Sequence, residues 1–229
     1  MLVRIRDFFS FFGLDDAQSA LGRRHASHAA KLAENMMDIR DYEALGAIAL
    51  HVKPQRIFEI GTYLGVTSDF LLALLPSCEV VSIAYVNPRF RYIGRRYNNS
   101  ELPRNEIGSA VAPERQKRFT QLYGDSHQLD AKALVAAHGL FDLVLIDGDH
   151  SRDGVRTDTE LAHAVLGPDG AICWHDANPK PVYRDVRTFL ERELALRAVA
   201  TEDEYTGGIA MWNRDVGTRL DAVVGRGGD

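Results

Sequence analysis

The sequence has few cysteines, no excess of basic residues and no long apolar run. Its two cysteines, Cys78 and Cys173, are too few for a disulfide framework or a cysteine-based zinc site, which fits the reducing cytoplasm. The net charge of −5 disfavours binding of nucleic acid through a basic surface. No stretch is long and apolar enough to span a bilayer. We therefore expect a cytoplasmic protein that binds neither nucleic acid nor membranes.

The composition is that of a globular enzyme. Of the 229 residues, 45% are hydrophobic and 26% are charged, which is ordinary for a packed domain. The length allows one sizeable α/β core and is short for two full domains.

The first 54 residues show helical patterns and no strand signal. Apolar side chains recur at helical spacing near the start, at Leu2, Ile5, Phe9 and Phe12. An amphipathic helix of this kind packs on the core or on a second subunit, and contact with a membrane surface is the less favoured alternative. Pro54 ends the helical pattern. We predict an N-terminal helical extension over residues 1–54, with a homo-oligomer formed through it as one outcome.

From residue 55 onward, strand, turn and helix alternate, which predicts a sheet built from βαβ units. Seven strands are predicted, at residues 56–60, 79–84, 119–123, 141–146, 171–174, 196–200 and 208–212. The last two flank a polar turn and indicate an antiparallel hairpin. We predict a Rossmann-like, doubly wound, seven-stranded α/β sheet over residues 55–215, mostly parallel with the last strand antiparallel. Residues 216–229 are expected to form a frayed tail.

The strongest local motif is a glycine-bearing turn after the first predicted strand. The run reads Glu59-Ile60-Gly61-Thr62-Tyr63-Leu64-Gly65-Val66-Thr67-Ser68. In doubly wound sheets, ligands bind at the carboxyl ends of strands, where glycines allow close approach and the next helix offers free N–H groups. The spacing of Gly61 and Gly65 differs from the G-x-G-x-x-G dinucleotide pattern. A plain tight turn is the alternative.

Three motifs together resemble those of class I S-adenosylmethionine-dependent methyltransferases. They are Glu-x-Gly-x-x-x-Gly at 59–65, Phe-Asp-Leu-Val-Leu-Ile-Asp-Gly-Asp-His-Ser at 141–151, and Gly-Pro-Asp-Gly-Ala-Ile-Cys-Trp-His-Asp at 167–176. The D-G-x-H-S and W-H-D signatures are most similar to a bacterial subgroup related to macrocin-type antibiotic-sugar O-methyltransferases and, more distantly, to catechol O-methyltransferases. The resemblance covers roughly residues 55 to 213.

The resemblance implies a binding site for S-adenosylmethionine. By position, Glu59, Gly61 and Tyr63 would line the methionine moiety, and Thr67 would lie near its carboxylate. Asp125 or Ser126, after the third strand, would meet the amino edge of the adenine. Asp147, at the end of the fourth strand, would also border the cofactor. For Ser126, capping of the next helix is an equally weighted alternative.

One position departs from the family pattern. An acid that binds both ribose hydroxyls usually follows the second strand, where this sequence has Ala84 or Tyr85. Losing a charge-assisted hydrogen bond of roughly 1.5–3 kcal/mol weakens cofactor binding unless Asn87 or a nearby arginine compensates. A catalytically silent, methyltransferase-like binding protein is therefore the alternative to an enzyme.

Asp147 and Asp176 end neighbouring predicted strands and are expected on the same rim of the sheet. Carboxylate oxygens there suit Mg²⁺ or another divalent cation. The resemblance to metal-dependent O-methyltransferases implies that such an ion would bind the acceptor's hydroxyls, although Ala177 stands where some relatives have a third polar ligand. The alternative roles are a turn former for Asp147 and a helix cap for Asp176.

His150 lies where relatives place a general base, and the ordinary pKa of histidine, ~6.5, suits that task. Asp149 is the rival base, and His175 is a second histidine on the same rim. A histidine that only orients the loop is the alternative for His150. The predicted function is O-methylation of a small molecule or a sugar, and the glycine spacing disfavours an NAD-dependent oxidoreductase.

A long segment follows the second strand, at residues 86–118, and carries eight basic residues against three acidic ones. Long loops in compact domains are usually functional or mobile. A lid that closes over an anionic acceptor, such as a phosphorylated sugar, is one interpretation. A solvated helix or an oligomer contact is the other.

Overall fold

The predicted apolar runs form strands of a single sheet. The computed structural model describes residues 2–3, 10, 13–14, 37–86, 102–178, 184–193, 199–201 and 207–214. The strands are β1 (Leu2–Val3), β2 (Arg56–Ile60), β3 (Glu79–Ala84), β4 (Phe119–Tyr123), β5 (Phe141–Ile146), β6 (Leu166–Trp174), β7 (Val199–Thr201) and β8 (Ala210–Trp212). The α-helices are α1 (Ile39–Val52), α2 (Val66–Leu74), α3 (Ala131–His138), α4 (Arg152–Val165) and α5 (Arg184–Arg192).

The strand order is β1-β7-β8-β6-β5-β2-β3-β4. The five strands from β6 to β4 in this order are mutually parallel, and β8 is antiparallel to both of its neighbours. The predicted mostly parallel, Rossmann-like sheet with an antiparallel last strand is therefore confirmed. The chain proceeds from β2 outward to β3 and β4, then returns to β5 on the other side of β2. The carboxyl ends of β2 and β5 thus form the switch point of the sheet, where ligands bind in this architecture.

The predicted count of seven strands is wrong for the described residues, which form an eight-stranded sheet. The additional strand is β1, which pairs in parallel with β7 through Leu2↔Ala200 and Val3↔Thr201. Leu2 was predicted to begin an amphipathic helix, but the backbone groups at the open edge of β7 offer it a hydrogen-bonded partner instead. The other apolar positions of the predicted helix, Ile5, Phe9 and Phe12, and its predicted role in an oligomer lie outside the described residues, as does the tail at 216–229.

Apolar side chains cover both faces of the sheet. On one face, α1 and α2 pack through fully buried residues that include Leu45, Ile48 and Leu71. On the other face, α3, α4 and α5 pack against a cluster around Phe58 and Trp174. Among the described residues, no helix combines the length and apolar character needed to cross a membrane.

The described part of the basic segment is anchored to the fold. Gly108 N donates to Tyr63 O at 2.9 Å, and Ala110 N donates to Leu64 O at 2.8 Å. The Arg115 guanidinium donates to the buried Asp69 carboxylate, with Nε–Oδ1 at 2.7 Å. This half of the segment is therefore packed against the fold, and the rest of the predicted lid, residues 87–101, lies outside the described residues.

Arg118 fastens the end of the same segment to α2. Its guanidinium donates to three backbone carbonyls at and after the helix C-terminus, those of Leu72 at 2.8 Å, Leu75 at 3.1 Å and Cys78 at 2.7 Å. A cation is well placed there because the carbonyl of Leu72, in the last turn of α2, has no helical partner and lies at the negative end of the helix dipole.

Replacing Arg118 should therefore destabilise the fold. Arg118→Met is expected to lower the free energy of unfolding by about 2 kcal/mol, because the carbonyls lose a charged donor. The exposed neighbour Lys117 supplies the matched control, and Lys117→Met should change stability by less than about 0.5 kcal/mol. Urea unfolding of both variants measures the difference. Equal stabilities would contradict the anchoring role of Arg118.

Candidate active site

The carboxyl ends of β2 and β5 approach each other closely at the switch point. Asp147 N donates to Ile60 O at 2.8 Å, and Gly61 N donates to Ile83 O at 2.9 Å. Gly61 has a φ of 105°, and a Cβ added there would lie 2.0 Å from Asp147 O. Only glycine fits this backbone crossing. The first glycine of the predicted motif is therefore required by the contact between the two strand ends.

The next helix begins without a side-chain cap. Gly65 adopts a left-handed conformation as the N-cap of α2, and it has no side chain that could accept a hydrogen bond from the N–H groups of the first turn. The free N–H groups and the positive end of the helix dipole suit the carboxylate of a ligand. Thr67, predicted to lie near that carboxylate, is in this turn and bonds to Tyr42 of α1 through its side chain.

Glu59 is buried inside the strand end. Its Oε2 accepts hydrogen bonds from Ser68 Oγ and Ser82 Oγ, each at 2.5 Å. Burial raises the pKa of Glu59 to about 7, against the opposing effect of these hydroxyls. The carboxylate therefore connects β2 to β3 and α2 through hydrogen bonds. Its expected contact with the methionine moiety stays a prediction.

Tyr63 follows the glycine turn in a left-handed conformation, with a φ of 47°. Its side chain packs against a small apolar cluster formed by Ala84, Leu102 and Ile107. This cluster fills the region after β3 where the family usually has its ribose-binding acid. Ala84 is buried in it, whereas Tyr85 is 59% exposed. The described residues at the end of β3 thus offer no carboxylate to a ribose.

The loop after β4 holds Asp125 and Ser126 in different roles. Asp125 Oδ1 accepts from His127 N at 3.0 Å and caps the short 3-10 turn Ser126–Gln128. Ser126 Oγ instead donates to the buried Asp158 of α4 at 2.7 Å. The capping function predicted as the alternative for Ser126 is thus performed by its neighbour.

Four titratable side chains meet beside the switch point, and we refer to Asp147, His150, His175 and Asp176 as the rim cluster. His150 Nε2 lies 2.8 Å from Asp176 Oδ2 and 3.6 Å from Asp147 Oδ1. His175 Nδ1 lies 3.1 Å from Asp147 Oδ1 and 3.4 Å from Asp176 Oδ2. The prediction that these residues share one rim is confirmed by their distances.

Opposite charges set the protonation states of the rim cluster. Burial lowers the pKa of His150, but the nearby carboxylates of Asp147 and Asp176 outweigh it and raise the pKa to about 9. Burial also lowers the pKa of His175, and the same carboxylates again outweigh it, so that this pKa is well above its ordinary value. Burial raises the pKa of both aspartates, yet the two histidines hold it below the usual range.

Asp149, the alternative candidate for the base, makes its hydrogen bonds outside the rim cluster. Its carboxylate accepts from Ser151 N at 2.9 Å and from Ser151 Oγ at 3.0 Å. It also packs against Gly154, where an added Cβ would lie 2.4 Å from Asp149 Cγ. These contacts shape the start of α4, so the geometry favours His150 over Asp149 as the base.

Asp41, which α1 contributes to the site, was not predicted from the sequence. Its buried carboxylate lies 3.3 Å from His175 Nε2 and accepts from the backbone N–H groups of Gly207 and Gly208, each at 3.0 Å. A signal was present, because Asp41 is an acid within the otherwise apolar face of α1. Its partners, however, are more than 130 positions away in the sequence.

The donor set of the rim cluster fits a divalent cation. Asp147, His175 and Asp176 each offer one ligand atom, and these atoms lie within 4.8 Å of one another. Metal-binding histidines commonly donate their other ring N–H to a carboxylate, which is the relation of His175 Nε2 to Asp41. Ala177, at the position of the family's third ligand, contributes no side-chain donor, and His175 is placed to take that function.

The buried carboxylate of Glu59 should make the free energy of unfolding depend on pH. Its raised pKa means that the folded state binds a proton more tightly than the unfolded state, so its contribution to stability is lost as pH rises from about 4.5 to about 7. That loss is on the order of 3 kcal/mol. The Glu59→Gln substitution keeps an acceptor for the two serines but has no proton to lose. It should therefore remove this loss of stability with rising pH.

Urea unfolding at pH 5 and pH 8 measures this effect. The unfolding free energy of the Glu59→Gln variant should fall less between these pH values than that of the native protein. Glu79→Gln, at an exposed site at the start of β3, serves as the control and should behave as the native protein does. An unchanged pH dependence in the Glu59→Gln variant would show that the carboxylate is ionised throughout.

Comparison with known proteins agrees with this geometry. A family model described as "Methyltransferase domain" matches residues 58–177. The O-methyltransferase TomG from Streptomyces achromogenes, involved in tomaymycin synthesis and solved with SAM, is 21% identical, with 86% of this chain and 88% of that chain covered at a TM-score of 0.54.

Two further solved structures show the same fold. The SAH-bound methyltransferase PaMTH1 of Podospora anserina is 17% identical over 84% of this chain and 88% of its own, with a TM-score of 0.54. An O-methyltransferase from Bacillus cereus in complex with SAH is 18% identical over 84% of this chain and 89% of its own, with a TM-score of 0.52. The match at 58–177 covers more than half of the chain and includes the switch point and the rim cluster. The resemblance inferred from the motifs is thus confirmed, and the chain belongs to the methyltransferase-domain family, with its class I fold.

Proposed function

We propose that the protein transfers a methyl group from S-adenosylmethionine to a hydroxyl group of a small molecule or sugar. The observation that carries the proposal is the position of the rim cluster, which places a histidine and two carboxylates directly beside the glycine turn of the switch point. Cofactor and acceptor would meet there because the strand ends form the ligand crevice. The unpaired, buried cysteines support a location in the cytoplasm.

The turn from Gly61 to Gly65 and the uncapped start of α2 would hold the methionine end of the cofactor. Tyr63 and Thr67 border the same turn, and Ser126 stands where the adenine is expected. TomG was solved with SAM and the Bacillus cereus enzyme with SAH, which supports this ligand class. The bound cofactor supplies an electrophilic methyl group on a sulfonium.

His150 is the proposed general base. In its neutral form the imidazole would take the proton of the acceptor hydroxyl, whose oxygen would accept the methyl group while the sulfonium sulfur departs as the neutral thioether. The imidazolium that forms is stabilised by Asp176, whose Oδ2 lies 2.8 Å from His150 Nε2. The same attraction explains the raised pKa of His150 and means that the neutral form is the minor one near pH 7.

Asp147, His175 and Asp176 would hold a divalent cation. Such an ion would supply positive charge that lowers the pKa of the acceptor hydroxyl. Asp41 would orient His175 from behind through its contact with Nε2. The imidazole ligand favours an ion such as Zn²⁺ or Fe²⁺ more than an all-oxygen site would, and the two carboxylates also suit Mn²⁺.

A catalytically silent binding protein is the second candidate. The observation that favours it is the end of β3, where Ala84 is buried among apolar residues and Tyr85 is exposed, with no acid for the ribose among the described residues there. Such a protein would retain the crevice but bind the cofactor weakly. The anionic acceptor inferred from the basic segment has less support, because Arg115 and Arg118 are engaged in packing.

Titration calorimetry with S-adenosylhomocysteine and, separately, NAD tests the cofactor class. Binding of S-adenosylhomocysteine alone is expected. A preference for NAD would overturn the methyltransferase proposal. Incubation with methyl-labelled S-adenosylmethionine and a panel of catechols and sugars then distinguishes an enzyme from a silent protein, and His150→Ala should abolish any transfer observed.

Metal binding can be tested apart from activity. Manganese titration followed by electron paramagnetic resonance should show one site that Asp147→Ala, Asp176→Ala and His175→Ala each remove. Asp153→Ala is the control, since that carboxylate is 91% exposed on α4. Retention of the site in all three rim variants would assign these residues a structural role only.

Because the acid that usually binds the ribose is absent, introducing one after β3 should raise the affinity for the cofactor. Tyr85→Asp should tighten S-adenosylhomocysteine binding by roughly tenfold, because an exposed carboxylate would gain charge-assisted hydrogen bonds to the ribose. Ala84→Asp is the comparison and should destabilise the protein instead, because it buries a charge in the apolar cluster of Leu102 and Ile107. Unchanged affinity of the Tyr85→Asp variant would show that another group already binds the ribose.

A further inference from the structure

Asp158 on α4 is a fully buried carboxylate between the loops that follow β4 and β5. It is 0% exposed, and its Oδ1 accepts from Ser126 Oγ at 2.7 Å. Its Oδ2 has no hydrogen-bond partner among the described residues. A Cβ added to Gly148, the residue after Asp147, would lie 3.2 Å from this Oδ2. The carboxylate therefore lies directly against both loops of the proposed cofactor site.

Three further titratable groups of the described residues act on Asp158, namely His127, Asp149 and Asp125. His127 Nε2 lies 3.7 Å from Asp158 Oδ1, and His127 Nδ1 lies 3.9 Å from Asp125 Oδ1. The same added Cβ on Gly148 would lie 3.0 Å from Cγ2 of the apolar Ile60. A buried carboxylate with so few donors is costly to the fold. Its position at the site indicates that it serves the ligand.

The hydrogen bond from Ser126 to Asp158 determines what Ser126 offers to a ligand. A serine hydroxyl has one proton and two lone pairs. Because a carboxylate only accepts, the proton of Ser126 is directed to Asp158 Oδ1, and only lone pairs remain for other partners. Ser126 is thereby an acceptor, which suits the exocyclic amine of adenine. In a purine with a carbonyl oxygen at that position, this oxygen and the Ser126 oxygen would both be acceptors, so no hydrogen bond could form between them.

We propose that Asp158 is a positioning residue that fixes Ser126 as a hydrogen-bond acceptor and so gives the cofactor site its preference for a 6-aminopurine over a 6-oxopurine. The inference rests on the proposed function, because it assumes that the purine lies at the loop after β4. It assigns a function to a residue of α4, 32 positions after Ser126, that the strand-end motifs do not include.

The test compares two ligands that differ only at the purine, S-adenosylhomocysteine and its deaminated form, S-inosylhomocysteine. Calorimetry should show that the native protein prefers the amine by at least about tenfold, the cost of one mismatched hydrogen bond. In Asp158→Asn the amide can donate to Ser126, which frees the serine proton, and the preference should fall to within about twofold. The control, Asp153→Asn on the exposed side of α4, should keep the native preference.

The outcomes separate this proposal from the one on which it rests. If the native protein binds neither ligand, the proposed function itself fails. If it binds S-adenosylhomocysteine and Asp158→Asn leaves the preference unchanged, or weakens both ligands equally, only the positioning role of Asp158 is overturned.

If Asp158→Asn does not fold, Ser126→Ala decides the question. Removing the oriented acceptor should cost about tenfold in affinity for S-adenosylhomocysteine and leave S-inosylhomocysteine binding unchanged. An equal loss for both ligands, or no loss for either, would overturn the proposal.

Discussion

The contact between the ends of β2 and β5 is the constraint on which the site depends. The two backbones approach so closely at Gly61 and Asp147 that a single methyl group at Gly61 would overlap the Asp147 carbonyl. After this crossing, the chain that leaves β2 continues into α2, and the chain that leaves β5 places Asp147 at the rim of the sheet. The neighbouring strand β6 then brings His175 and Asp176 to the same level, because His175 N donates to Ile146 O at 3.0 Å. The rim cluster is thus a consequence of strand register.

A second layer of buried polar groups holds the rim in place. Asp41 connects α1 to His175 and to the backbone before β8, so three segments far apart in the chain meet at one carboxylate. Gly207 allows this contact, because an added Cβ would lie 2.4 Å from Asp176 Oδ1. Glu59 has a similar function one strand away, where it joins β2 to β3 and α2 through Ser82 and Ser68. The helix α1 therefore takes part in the site although it precedes the first motif.

Much of this could be predicted from the sequence because strand ends are marked by local patterns. Apolar runs followed by Gly61, Asp147 and Asp176 predicted the three adjacent strand ends that carry the rim. The contributions of Asp41 and Asp158 could not be predicted in this way, because each is one of several acids on its helix and its partners are distant in sequence. Likewise, charge alone could not show that Arg118 binds helix carbonyls and is unavailable for a ligand. Pairing of β1 with β7 is also long-range, and helical spacing of Leu2 gave no sign of it.

The central claim is that the switch point between β2 and β5 is the cofactor site. Its most direct test is a crystal structure of the protein grown with S-adenosylhomocysteine. We expect ligand density across the turn after Gly61, with the purine against Ser126. A cleft of about 320 Å³ at the opposite ends of the strands, lined by residues that include Lys53 and Asp142, offers the competing location. Density in that cleft, with the switch point empty, would contradict the claim.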